Sequence, residues 1–130
     1  MFGGSDDRGE AAVELAVLAP VLFTMIFAIV HVGAFWLSAQ TASAAATRGA
    51  RAASMARDSR EAFELGARAI EQTVNELGTE LVSAPVINGA GRNVWATVEV
   101  RVATLIPFLP HSVTRSRELP IETYVPEHER

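Results

Sequence analysis

Residues 15–37 read LAVLAPVLFTMIFAIVHVGAFWL, and this apolar run decides the fold class. As an α-helix its 23 residues extend about 34 Å, which matches a hydrocarbon core of roughly 30 Å. No Asp, Glu, Lys or Arg occurs from Leu15 to Thr47. The remaining chain is too short to surround an all-apolar helix of this length, which disfavours the core helix of a soluble domain. The run therefore predicts a membrane helix or a targeting sequence.

Composition excludes several classes of function. The 130 residues carry a net charge of −4 and no cysteine, so disulfides and thiolate metal sites are excluded. An acidic chain without a basic cluster argues against nucleic acid as a partner. The three histidines, His31, His111 and His128, are far apart in the sequence, and no HExxH, GxSxG or Walker A motif occurs. We therefore predict no catalytic residues, no cofactor and no metal site.

The apolar run has three membrane interpretations. A secretory signal peptide cleaved after Ala44 is disfavoured, because the run is too long and more acid than base precedes it. An uncleaved signal anchor fits the length better. Counting Arg48 and Arg51 against Arg8 would place the following residues in the cytoplasm, although large domains can translocate despite such charges. The third interpretation depends on Glu14.

Glu14 is the last charged residue before the apolar run, and Gly9 lies five positions before it. A carboxylate at the edge of a membrane helix is costly and is a functional candidate. Alternatively, it is a surface side chain near a helix N-terminus, where the helix dipole favours an anion. The spacing alone leaves both readings open.

Residues 8–20, RGEAAVELAVLAP, resemble the start of TadE-like proteins of the Tad (tight adherence) pilus system, with the class III signal of type IV pilin-like proteins. Residues 45–51, AATRGAR, are similar to the block of small residues and arginine that closes that family's module. The resemblance covers residues 8–51, about a third of the chain. Leu15 stands where the major Flp pilins carry a tyrosine, so the chain resembles the pseudopilin branch more than the main fibre subunit.

The resemblance implies a structural pseudopilin or minor pilin that assists assembly of Tad (Flp-type) pili. A prepilin peptidase would cut between Gly9 and Glu10, and Glu14 would then neutralise the new amine of an adjacent subunit. The implied partners are this peptidase, other pilin or pseudopilin subunits, the Tad assembly machinery and membrane lipid. The alternative function is an uncleaved, single-pass, membrane-anchored extracytoplasmic adaptor or binding module.

Two further features of the first helix can be predicted, one from Pro20 and one from the alanine-rich residues 38–57. Pro20 removes one backbone hydrogen bond, which predicts a kink in the membrane helix. High helix propensity in residues 38–57 predicts that this helix continues outward as a stalk. Asp58-Ser59-Arg60-Glu61 has the spacing of a capping box and starts a second helix. A stripe on that helix predicts packing against a sheet in preference to a coiled coil; it consists of Phe63, Ala67, Ile70, Val74, Leu77 and Leu81.

Residues 81–88 and 94–105 predict a β-hairpin around a loop at 89–93, and residues 113–124 add another strand. Pro120 in the last strand indicates a sheet edge or a break. Residues 105–110, LIPFLP, form an apolar loop that we expect to pack into the core, with an exposed contact patch as the alternative.

Together these patterns predict an α+β protein. A long N-terminal transmembrane helix extends into a stalk and precedes a second, amphipathic helix and a small antiparallel sheet of about three strands. We expect a leader at 1–9, the transmembrane and stalk helix at 10–57, a small extracytoplasmic domain at 58–125 and a disordered tail at 126–130. The N-terminus is expected in the cytoplasm, and residues beyond about 38 outside it.

Overall fold

The computed structural model describes residues 6–121 and confirms the α+β architecture. Two helices are present in this range, α1 (Asp6–Ser54) and α2 (Ser59–Glu76). Three strands follow, β1 (Val86–Ala90), β2 (Asn93–Arg101) and β3 (Ser112–Pro120). The chain divides into two compact units after Gly33, which are described separately below. The predicted tail at 126–130 lies outside the described residues.

Helix α1 contains both the apolar run and the alanine-rich segment, so the predicted helical continuation beyond the apolar run is confirmed. It is long and apolar enough to cross a membrane, and no other helix within residues 6–121 has this property. Most of its large apolar side chains are exposed, among them Leu15 and Phe23. Exposed apolar surface of this extent is typical of a segment whose solvent is lipid. This surface indicates that α1 anchors the chain in a membrane.

The alanine-rich part of α1 supplies one wall of the hydrophobic core. Its fully buried residues lie three, four and eight positions after the first of them, which puts them on one helix face: Ala42, Ala45, Ala46 and Ala50. They pack in one cluster with Ile70 and Val74 of α2 and with the inner side chains of β2. Alanine side chains let neighbouring elements approach closely, so this stretch both extends the membrane helix and builds the core.

A two-way side-chain cap starts α2, as its sequence predicts. The Asp58 carboxylate accepts a hydrogen bond from the backbone N–H of Glu61 at 2.8 Å. The Glu61 carboxylate accepts one at 2.8 Å from the backbone N–H of Arg57, one residue before the expected partner. Both bonds pair N–H groups that would otherwise lack acceptors at the helix start.

The predicted apolar stripe on α2 is only partly buried. Ile70 and Val74 lie in the core, but Phe63 is 49% exposed and Leu77 is 53% exposed. The buried face instead includes Gly66 and Thr73, which the stripe omitted. The stripe was wrong at Phe63 because α2 packs on α1 as well as on the sheet, and Leu77 and Leu81 are not on the helix because α2 ends at Glu76. Where α2 crosses α1, the buried face of α2 contains Gly66, which lies close to Gly49 of α1.

The sheet is antiparallel with strand order β1-β2-β3, so β2 is central and β3 is an edge strand. Alternation along β2 is confirmed, because every second side chain is buried: Val94, Ala96, Val98 and Val100. Arg117 of β3 pairs with Ala96 and thus lies on the same inner face. It donates to the Ser43 hydroxyl of α1 through Nε at 3.2 Å and Nη2 at 2.7 Å. The edge strand is thereby tied to the first helix.

The hairpin is tighter than its sequence predicts. Gly89 and Ala90 pair with Val94 and Asn93, leaving a two-residue turn at Gly91 and Arg92. Gly91 has φ +61°, the left-handed value that such turns require and that glycine adopts freely. The first strand also begins later than expected, at Val86, and Leu81 forms only an isolated bridge with Val100.

Two further expectations concern the end of the domain. Pro120 is the last residue of the edge strand β3, as its missing N–H predicts, while Tyr124 lies outside the described residues. The apolar loop at 105–110 was expected in the core. This prediction is wrong for Leu105 and Phe108, the two large side chains of the loop that are exposed. Leu105 is 76% exposed and Phe108 is 93% exposed. The buried positions of the core are already filled by alanine, valine and isoleucine from α1, α2 and β2.

Candidate processing and assembly site

Gly9 lies near the start of α1, three positions after Asp6. It is exposed, and a Cβ placed on it would have no neighbouring atom within 4 Å. The expected cut between Gly9 and Glu10 therefore falls inside a helix. The first four N–H groups of any helix lack intrahelical partners, so its first turn unwinds at low cost.

Glu10 and Glu14 lie four residues apart on one exposed helix face, which they share with Val13 and Val17. Like charges at this spacing repel by roughly 0.2–0.5 kcal/mol in an isolated helix. None of the ion pairs among the described residues includes either carboxylate. The helix therefore presents two acidic side chains at the boundary of its apolar run.

Helix α1 continues through Pro20. Because proline has no N–H, the carbonyl of Ala16 loses its usual hydrogen-bond donor. One turn further along, the Thr24 hydroxyl donates to the Pro20 carbonyl at 2.7 Å. Such bonds from threonine to the backbone are associated with helix bending. The kink at Pro20 stays a prediction.

The second half of the candidate module, around Arg48 and Gly49, contacts α2. Arg48 Nη1 donates to the Glu76 carboxylate at 3.1 Å and to the Thr73 hydroxyl at 3.4 Å. A Cβ on Gly49 would lie 2.5 Å from Ile70 Cγ1, so only glycine fits there without displacement. Sequence reasoning missed this role. The available signal was a glycine in the middle of a stretch with high helix propensity.

Metal ligation has no candidate site in this part of the chain. Among the described residues, no three His, Asp or Glu side chains are grouped closely enough to hold a metal ion. The functional groups at the start of α1 are the peptide bond after Gly9 and the carboxylates of Glu10 and Glu14, which lie beside an apolar surface.

Comparison with known proteins agrees with this arrangement. The model of the TadE-like protein family matches residues 9–51, from Gly9 through the Gly-Ala-Arg block. No curated protein and no solved structure matches the chain. The match supports a minor-pilin-like role associated with a Tad pilus, in a family that is structural and pilus-related. The resemblance to TadE-like proteins is thus confirmed over residues 9–51, which are about a third of the chain.

Proposed function

We propose that the chain is a pseudopilin or minor pilin that a prepilin peptidase cleaves between Gly9 and Glu10 and that then assists assembly of Tad (Flp-type) pili. The observation that carries the proposal is the family match, which begins at Gly9 and contains the glycine, the carboxylate and the apolar helix in that order. Under this proposal the leader is 1–9, the transmembrane and stalk helix 10–57, and the extracytoplasmic domain 58–125, with the alanine-rich part of that helix packed into the core of the domain.

Access of a peptidase to the bond after Gly9 is favoured by the local structure. The bond lies close to the helix start, where few backbone hydrogen bonds must break for the chain to become extended. Gly9 is exposed and has no Cβ to obstruct a protease. The missing Cβ and the nearby helix start together support cleavage at this position.

Glu14 has the properties that an assembly contact needs. It is exposed at the edge of the apolar run, and no ion pair among the described residues uses it. Cleavage creates an amine on Glu10, and a neighbouring subunit can bring that amine to the Glu14 carboxylate. An unpaired charge near lipid is costly, so this pairing favours one register between adjacent helices.

Orientation follows from the same proposal. We propose an N-terminus in the cytoplasm, with residues beyond about 38 outside it. The proposed partners are the peptidase, other pilin or pseudopilin subunits, the Tad machinery and lipid. The alternative is an anchor that is never cleaved.

Release after Ala44, the signal-peptide reading, conflicts with the packing of α1. It would separate Ala42, which is fully buried, from the rest of the alanine face. It would also remove Ser43, the hydroxyl partner of Arg117. A small domain loses stability when part of its core wall is cut away.

N-terminal sequencing tests the proposal directly. The full chain is expressed with its cognate peptidase, purified from membranes and sequenced, with an inactive peptidase as the control. We expect Glu10 as the first residue only with the active enzyme. Met1 in both samples would support the uncleaved anchor, and Ala45 would support a released domain.

A further inference from the structure

The loop between β2 and β3 presents an uncharged apolar surface. No Asp, Glu, Lys or Arg occurs from Val102 to Pro110. Phe108 is 93% exposed and Leu105 is 76% exposed, the highest values among the exposed large apolar side chains of the described residues. Isolated exposed apolar residues are ordinary, but two within one uncharged loop indicate a contact surface.

The loop is held in shape by its own hydrogen bonds. At its base the N–H of Val102 donates to the His111 carbonyl at 2.8 Å. The Thr104 hydroxyl accepts from the N–H of Ile106 at 3.1 Å. The N–H of Leu109 donates to the Ile106 carbonyl at 3.3 Å, which closes a turn with Pro107 in its second position. The turn places Phe108 at the tip of a structured projection.

The position of the loop is defined by contacts between the sheet and α1 within residues 34–121. Ser43 of α1 accepts from Arg117, whose strand partner is Ala96. Further along β2, the Ser38 hydroxyl donates to the Arg101 carbonyl at 3.4 Å. Moving along β2 toward the loop therefore means moving along α1 toward lower residue numbers. The loop leaves the sheet at the end where the apolar run of α1 stops.

The residues of α1 at that end are those of a membrane interface. Trp36 and Leu37, immediately before Ser38, are each 63% exposed. Tryptophan is enriched at the headgroup level of bilayers. At the base of the loop, Arg101 and Glu80 form an exposed ion pair at 3.4 Å. Polar groups at the base and apolar groups at the tip match the gradient from water into lipid.

We propose that Leu105 and Phe108 insert into the interfacial region of the bilayer that α1 spans. The proposal rests on single-pass anchoring alone and needs neither cleavage nor pilus assembly. The loop backbone suits this environment, because Pro107 and Pro110 have no N–H and those of Ile106 and Leu109 are bonded within the loop. Few donors therefore lose water on insertion, which lowers its cost.

Site-specific quenching tests the insertion in the full chain. Because the chain has no cysteine, the variants Leu105→Cys and Phe108→Cys each accept a single environment-sensitive fluorophore. The labelled chain is reconstituted into phosphatidylcholine–phosphatidylglycerol vesicles with or without lipids carrying a doxyl quencher near the headgroup in both leaflets. The matched control is Met55→Cys. Met55 is apolar and 62% exposed, and it follows the C-terminal end of α1, far along the helix from Ser38 and the loop.

We expect doxyl lipid to reduce fluorescence at positions 105 and 108 at least twofold more than at position 55. Adding Phe108→Asp should lower the quenching at position 105, because a charge resists burial in lipid. Phe108 is outside the core, so this change leaves folding intact. Equal, weak quenching at all three positions would overturn the proposal. So would a blue shift that depends on protein concentration without doxyl quenching, which would assign the loop to contact with a second copy.

Discussion

Gly49 of α1 and Gly66 of α2 lie against each other where the two helices cross, and the contact is reciprocal. A Cβ placed on Gly49 would lie 3.2 Å from the Gly66 carbonyl oxygen, and one on Gly66 would lie 3.1 Å from the Gly49 carbonyl oxygen. Side chains larger than hydrogen would push the helices apart at this point. The segment that matches the TadE-like family model therefore contributes to the packing of α2 as well as to the membrane helix.

The substitution Gly49→Ala should destabilise the domain. The new Cβ would lie 2.5 Å from Cγ1 and 2.6 Å from Cδ1 of Ile70, which is fully buried. Overpacking typically costs about 1–3 kcal/mol. Alanine offsets roughly 1 kcal/mol of this through its higher helix propensity. We expect a net loss of up to about 2 kcal/mol in the free energy of unfolding, measured by urea denaturation of the full chain in detergent.

Two further variants isolate the cause of that loss. Gly33→Ala makes the same change in the same helix where no atom lies within 4 Å of the new Cβ, so it should cause no loss. Ile70→Ala removes the clashing atoms, so its combination with Gly49→Ala should be less destabilising than the sum of the two single changes. Strict additivity would contradict the proposed clash.

Gly9→Leu should abolish processing without affecting the fold. The side chain enters open space, so any effect reflects the peptidase and not packing. Co-expressed with the cognate peptidase, the variant should remain full length on a gel. Gly33→Leu, also in open space on α1, should be shortened like the wild type. Normal shortening of the Gly9 variant would contradict the cleavage proposal.

Glu14→Gln should separate cleavage from assembly. The partner proposed for Glu14, the amine of Glu10 on another subunit, exists only after the cut, so processing should stay normal. Glutamine keeps the shape and hydrogen bonding but removes the charge, and loss of one member of a buried pair costs about 3–5 kcal/mol. We expect few or no pili by electron microscopy in a strain with this copy alone.

The control for Glu14→Gln is the same substitution at Glu64, an exposed residue of α2 in a surface ion pair with Arg60. Surface pairs contribute little, so piliation should be unchanged. Wild-type piliation with normal cleavage in the Glu14 variant would reduce that residue to a tolerated carboxylate at the membrane edge.

Topology is tested by reporters fused after Arg130. A reporter that is active only outside the cytoplasm should work at this position, and a cytoplasm-dependent reporter should not. The reverse pair of results would agree with the simple arginine count at Arg48 and Arg51, and would contradict the proposed orientation.

Local sequence patterns were sufficient to predict the long apolar helix, the alternation of the central strand and the start of the second helix. The apolar run predicts one membrane helix because length and hydropathy are properties of consecutive residues. The alternation around Val98 and the cap at Asp58 are confirmed for the same reason, since each involves residues within a few positions. The candidate site at Gly9 and Glu14 was identified by the resemblance to TadE-like proteins, because the spacing alone left both readings open, and its role stays a proposal.

The turn at Gly91 and the loop around Phe108 were harder to predict. Gly89 and Gly91 are both possible turn residues, and only the strand register selects Gly91, whose φ is +61°. An apolar loop can be buried or exposed, and the outcome depends on whether the core has room for it. Here the described core is filled by other elements, so Phe108 is left outside.

The sequence by itself determined the long apolar helix, its continuation through the alanine-rich segment, the second helix and the alternating central strand, because each depends on residues that are close together in the chain. The tertiary structure alone decided which faces meet. Phe63 lies outside the core, whereas Gly66 lies inside it because the backbone of α2 there is close to both Ile87 of β1 and Gly49 of α1. Arg117 reaches Ser43, 74 positions away, only because the strand register brings them together. Hydropathy is a property of each residue alone. Burial in a close-packed core also depends on the space available between side chains that are distant in the sequence.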